Sequence, residues 1–165
     1  MSSEDFSISN ERDGLTGFLD RQRDALVRKV RGVSDADARL APTASSLSLL
    51  GLLKHSTAWE ARWFQGVLAG RRLPDGWPER KSQIPDEDLL VDDEDTVEQW
   101  VARYQDAVET SRQIVAAMQL DQPCARTDII EYNVRGVLLH LIEETARHAG
   151  HADIIRETID GSRGM

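Results

Sequence analysis

Residues 134–158 read VRGVLLHLIEETARHAGHADIIRET, and this stretch decides how the rest of the chain is organised. It carries His140, His148 and His151, three of the four histidines, with Glu143 and Glu144 between them. On an α-helix each residue advances about 100°, so positions 140, 144, 148 and 151 share a sector of roughly 80°. Glu144 and His148 stand one turn apart, the spacing at which two side chains reach one point. A carboxylate and an imidazole so placed suit a divalent cation such as zinc. His55 lies far upstream in a second helical pattern, LSLLGLLKHSTAWEARWFQGVLAG, and supplies a third ligand from another helix.

Working outward, the spacing predicts a first amphipathic helix over 11–30. Leu15, Phe18, Leu19, Gln22, Leu26 and Val30 form its inner face, with Arg21, Arg23, Asp24 and Arg28 on the wet side. Ser34 caps a short turn before Pro42. The second helix is expected over 46–69, apolar on more than one side. His55 points with Gly51, Ala58, Arg62 and Gly66, and these small residues let a neighbouring backbone come near. Residues 73–94, LPDGWPERKSQIPDEDLLVDDE, break the pattern with three prolines, a Pro-Asp-Gly turn signal and an acidic run. A connection of that length crosses one end of a bundle and can close over a site, with Trp77 as its apolar anchor. The third helix is expected over 95–118 and capped by Asp95 or Thr96. Asn133 caps the last helix, which ends near Gly161. Four long helical patterns without strand alternation predict an all-α four-helix bundle in a single domain spanning 1–165. The long link between helices 2 and 3 favours a crossover over plain up-down order.

The 165 residues, 40% hydrophobic and 30% charged, support one proper core. A net charge of −9 argues against a nucleic-acid partner, which would need a basic face. No apolar run is long enough for a membrane span. A single cysteine, Cys124, excludes an internal disulfide and suits a reducing cytoplasm. Beside Pro123 in a polar connector, that thiol reads as incidental.

A lone histidine on an apolar face is usually a hydrogen-bonded core residue, and VLLHLI around His140 reads as packing. Glu144 on an inward stripe shifts the balance. An unpaired buried carboxylate costs several kcal/mol, which a cation relieves. His55, Glu144 and His148 leave a coordination position open, as in catalytic zinc sites. Alternatively His148 and His151 chelate with His55, and Glu144 accepts from a ring N–H. Glu143 lies about 100° from Glu144 around the helix and is expected to pair outside, with Arg147.

The runs HLIEETARHAGHADIIRE and LLGLLKHSTAWEARWF together resemble the DinB-like superfamily. They are most similar to its actinobacterial branch of mycothiol-dependent S-transferases and the maleylpyruvate isomerase N-terminal domain. The resemblance covers nearly the whole chain. It implies a four-helix bundle with crossover connections and a divalent metal held by His55 of the second helix and by Glu144 and His148 of the fourth. Zinc is expected first, with nickel or another divalent ion as alternatives. Glutamate at the first position of the fourth-helix pair departs from the three-histidine pattern and matches the isomerase relatives. The resemblance also implies mycothiol as co-substrate, docking on the metal to attack an electrophile. His151 is then a neighbour for proton handling, and Trp59, Arg62 and Trp63 shape the substrate pocket. Two imidazoles and one carboxylate leave bound zinc with a net charge of +1, favouring hydroxide or thiolate as fourth ligand. A hydroxide would make a small hydrolase. A non-enzymatic stress-response or binding module is the third reading. The oligomeric expectation is a monomer or homodimer.

Overall fold

The structure, a computed structural model, describes residues 8–80 and 82–163. Four long helices dominate: α1 (Glu11–Val30), α3 (Leu49–Ala61) with a π-helical continuation (Arg62–Leu68), α4 (Val97–Ala116) and α5 (Val134–Asp160). A one-turn helix, α2 (Asp35–Ala38), and a 3₁₀ turn (Glu87–Leu89) lie in the connections. Among the described residues the one extended pairing is an isolated bridge between Pro123 and Asn133. No helix among them is long and apolar enough to cross a membrane.

Side-chain caps set the helix starts. Asn10, Ser34, Ser48, Thr96 and Asn133 each accept a hydrogen bond from the backbone N–H three residues on, satisfying a donor that the helix leaves free. The second helix therefore begins at Leu49 rather than 46, because Ser48 is the residue whose hydroxyl reaches back into the first turn. It also leaves α geometry at Arg62. The Ala69 N–H bonds to the Phe64 carbonyl five residues earlier at 3.0 Å, so side-chain register slips along this segment.

The helix directions follow from the cross-links. Glu11 pairs with Arg135 at 2.5 Å and Lys29 with Asp153 at 2.5 Å, so α1 and α5 run parallel. Arg12 at the start of α1 donates to the Val115 carbonyl at the end of α4 at 2.8 Å, so those two are antiparallel. Lys54 near the start of α3 meets Asp95 just before α4 at 2.6 Å, so α3 and α4 run the same way. The order is up-down-down-up, and the long link after the second helix is the crossover that parallel α3 and α4 require. Trp77 anchors it, standing over Gly66, where an added Cβ would come within 3.2 Å of the indole.

Two apolar clusters fill the bundle. One gathers Leu26, Val30, Leu49, Leu50, Leu53, Val101, Tyr104 and Ile155. The other gathers Leu19, Phe64, Leu68, Ile114, Val134 and Leu138. The stretches between them on each helix are polar: Arg23 on α1, residues 55–60 on α3, Ser111 on α4, and Glu144 to His148 on α5. Two expectations for α1 fail at this layer. Arg23 is 5% exposed, not on the wet side, because Glu60 faces it from α3. Phe18 is 43% exposed, because the buried stripe runs through Leu19, Arg23, Leu26, Val27 and Val30 and leaves position 18 outside it.

Candidate functional site

On the far side of α3 from Glu60, the polar layer brings the predicted residues together. The His55 and His148 rings meet edge to face with centroids 4.8 Å apart. His151 follows at 5.9 Å from His148. Trp59 lies 6.0 Å from His55, and Arg62 stacks over the Trp59 ring at 4.9 Å. Trp63 packs on His140, centroids 4.3 Å apart, which gives His140 a packing role.

Glu144 is the partial exception. Its Oε2 lies 3.9 Å from His148 Nε2, while its Oε1 accepts from Arg147 at 2.7 Å. It is 31% exposed, so it is not the unpartnered buried carboxylate the sequence suggested. Arg147 also holds Glu143, as expected, and bridges the pair. Among the described residues no three His, Cys, Asp or Glu side chains stand in coordination geometry.

The donor atoms nevertheless fit a cation in kind. The Nδ1 atoms of His148 and His151 are buried without a hydrogen-bond partner, a condition that costs about 1–3 kcal/mol per group unless something binds there. Burial, then the neighbouring His55, push the His148 pKa down to about 4, with His151 and Arg147 adding to this and Glu144 opposing it. His148 is therefore a neutral imidazole at pH 7, the form that donates a lone pair to a metal.

The crossover connection supplies a residue that sequence reasoning missed. Asp88, in the 3₁₀ turn, lies 3.1 Å from His55 Nδ1 through Oδ1 and accepts from Arg62 Nη1 at 2.8 Å through Oδ2. Burial pushes the Asp88 carboxyl up, but the hydrogen bonds and charges of His55 and Arg62 outweigh that and hold it below its ordinary value. As an ionised carboxylate it can only accept, so His55 Nδ1 is the donor in this contact and Nε2 is the ring atom turned to other partners. Arg62 is fixed between Asp88 and Asp75, so it braces the turn. The turn sits this close because residue 51 is glycine. A Cβ there would lie 2.6 Å from the Leu89 carbonyl oxygen. The backbone expected to approach the small residues of α3 is thus the crossover itself.

Two cavities share His55 and Trp59 as a wall. The larger, about 680 Å³, lies under the crossover and combines charged groups, among them Arg62, Asp75, Arg80 and Asp88, with the apolar surfaces of Trp59, Trp77 and Ile84. The smaller, about 390 Å³, lies between α3 and α5, with Trp63, His140, Leu141, Glu144 and His148 around it. Trp59 borders both cavities, and Trp63 borders the smaller one while packing against the second apolar cluster. Cys124 lies in the second apolar cluster and lines neither cavity, and burial raises its thiol pKa, so it is no ready nucleophile.

Comparison with known proteins then separates fold from family. A family model described as mycothiol-S-transferase matches residues 14–161. The chain belongs to the mycothiol-S-transferase family. No individually curated protein matches it significantly. A solved structure described as a conserved protein from Enterococcus faecalis is similar in fold. It has a TM-score of 0.66 and 16% identity, covering 94% of this chain and 100% of that one. At that identity it speaks for the bundle alone. Membership of the family upholds the DinB-like resemblance carried by the two histidine-bearing stretches.

Proposed function

We propose that this member of the family is a metal-dependent S-transferase that joins mycothiol to a small electrophile, in a cytoplasmic setting. His55, Glu144 and His148 would hold the divalent cation, zinc before nickel. The carrying observation is that His55 and His148, from different helices, meet in the wall between two cavities while buried ring nitrogens beside them lack partners. A divalent cation bound there supplies the Lewis acidity that makes a thiolate available at neutral pH.

The chain's own residues do the rest. Asp88 fixes the His55 tautomer, and Arg62 fixes Asp88. Glu144 has to exchange Arg147 for the cation, and Glu143 keeps Arg147 in place when it does. His151 stands ready to take the thiol proton. The ion-lined cleft suits a hydrophilic thiol, whose polar groups find Arg80 and Ser82 there.

A second ligand set, His55, His148 and His151, is favoured by the unpartnered Nδ1 of His151. Metal titration of Glu144→Ala against His151→Ala separates the two, since removal of a true ligand weakens binding far more. The function itself is tested by offering an electrophile with and without mycothiol. Consumption that needs the thiol, and is lost in His55→Ala, supports the transferase. Equal consumption without thiol makes the protein a hydrolase, and no consumption with metal loaded removes the enzymatic reading.

A further inference from the structure

The described helices contain seven serines and threonines, and their hydroxyls divide unevenly. Thr16, Thr57, Thr110, Ser111 and Thr158 each donate to the carbonyl four residues back, at 2.7–3.0 Å. That is the default for a hydroxyl on a helix, where the i−4 carbonyl is the nearest acceptor. Ser56 and Thr145 make no such bond, although they are 9% and 4% exposed. Both line the 390 Å³ pocket between α3 and α5. Trp59, in the same wall, has a buried indole N–H without an acceptor. Two buried donors in one small cavity, the Ser56 hydroxyl and the Trp59 N–H, thus lack partners. The Thr145 hydroxyl beside them makes no bond among the described residues, while the rest of the lining includes Trp63 and Leu141.

Leaving a buried donor unpaired is unfavourable, so their grouping calls for an acceptor brought in from outside. The nearby ionisable groups select its charge. Among the described residues no lysine or arginine lines the pocket. The single positive charge left on a cation held by His55, Glu144 and His148 is matched by the thiolate, so an anionic electrophile would find no partner there. A hydrophilic thiol would leave its polar groups unpaired against Trp63 and Leu141. We infer that this pocket is the electrophile subsite, and that it takes a compact, uncharged electrophile with an aromatic or alicyclic body and a carbonyl-type acceptor received by Ser56, Thr145 and Trp59. This rests on the transferase reading above and names the substrate class for it. Phenacyl chloride has the required form. In the reaction the sulfur forms a bond to the CH₂ carbon, chloride leaves with the C–Cl pair, and the thiol proton passes by way of His151 to solvent.

The inert analogue acetophenone tests the subsite without any turnover, by tryptophan fluorescence titration of the full-length protein. Ser56→Ala and Thr145→Val should each weaken its Kd about fivefold, the value of one net hydrogen bond. Thr57→Val, the adjacent back-bonded hydroxyl outside the pocket, should leave the Kd unchanged. Circular dichroism confirms that each variant is folded. Equal Kd values in wild type, Ser56→Ala and Thr145→Val, an equal loss in Thr57→Val, or no binding at all would overturn the inference. If acetophenone behaves as expected and phenacyl chloride is never consumed with mycothiol, the subsite stands and the transferase reading falls.

Discussion

Two polar clusters interrupt the core at the same level of the bundle, about 140° apart around α3 at residues 60 and 55. They are built on opposite principles. On one side Arg23 and Glu60 are almost wholly buried and paired through two contacts, with Asp20 taking the remaining fork of the guanidinium. In that cluster only the Tyr104 hydroxyl lacks a partner. On the other side Ser56, Trp59, His148 and His151 account for four of the six buried side-chain polar atoms without a hydrogen bond among the described residues, and one of the other two, Asp153 Oδ1, is held by Lys29. The first cluster is closed and serves the fold. The second is open, and polar atoms left unpaired together mark the place where a ligand completes the structure.

Breaking the closed cluster should have the largest effect. Glu60→Ala leaves Arg23 buried with only half its partners, and loss of one member of a buried pair typically costs about 3–5 kcal/mol. Thermal denaturation should show a large fall in Tm, and metal binding measured below that Tm should be unchanged. A drop in metal affinity at constant Tm would reverse the roles assigned to the two sides.

Asp88→Asn should do the converse. It removes the charge that orients His55 while keeping the shape, so metal affinity should fall about 10- to 100-fold with little change in Tm. Titration with a competing chromophoric chelator measures it. NMR of the His55 ring in metal-free protein should show its Nδ1–H tautomer becoming less favoured. An unaltered tautomer and affinity would reduce Asp88 to a loop contact.

The smallest effect concerns pH. The His148 pKa is pushed from 6.5 to about 4 in the fold, so below pH 6.5 the unfolded chain takes up a proton that the folded chain resists. This contribution to stability is fully present above pH 6.5 and declines as the pH falls towards 4. Metal-free protein should therefore lose Tm over that window, and His148→Gln should lose less. Identical profiles would mean that His148 is not held neutral by burial.

How much of this could be read in the sequence depends on which force sets each feature. The bounds of α1 and the start of α5 were legible because caps and amphipathic steps are local, as Asn133 illustrates. The crossover was legible from the length of 73–94 alone. His55 and His148 could be paired because both lie on long helices, where one turn fixes direction. Arg23 was misread because its burial depends on Glu60, distant in sequence, and a charged residue on a helix ordinarily faces water. Glu144 was placed on the right stripe, but its partner Arg147 lies one turn on and takes its Oε1. Asp88 was hidden among six other acidic residues between 86 and 95. What distinguishes it is Leu89, the half-buried apolar residue whose carbonyl reaches the hollow at Gly51. A glycine facing the same way as a candidate ligand was the available signal. It showed that a backbone comes near without saying which one.

The central claim is that the open cluster holds a metal. Metal analysis by inductively coupled plasma mass spectrometry, on protein purified without added metal and then titrated with zinc, tests it most directly. The account predicts close to one equivalent of a divalent ion per chain, lost in His55→Ala and in His148→Ala while both stay folded. Less than about 0.2 equivalents, with zinc uptake the same in wild type and both variants, would contradict it.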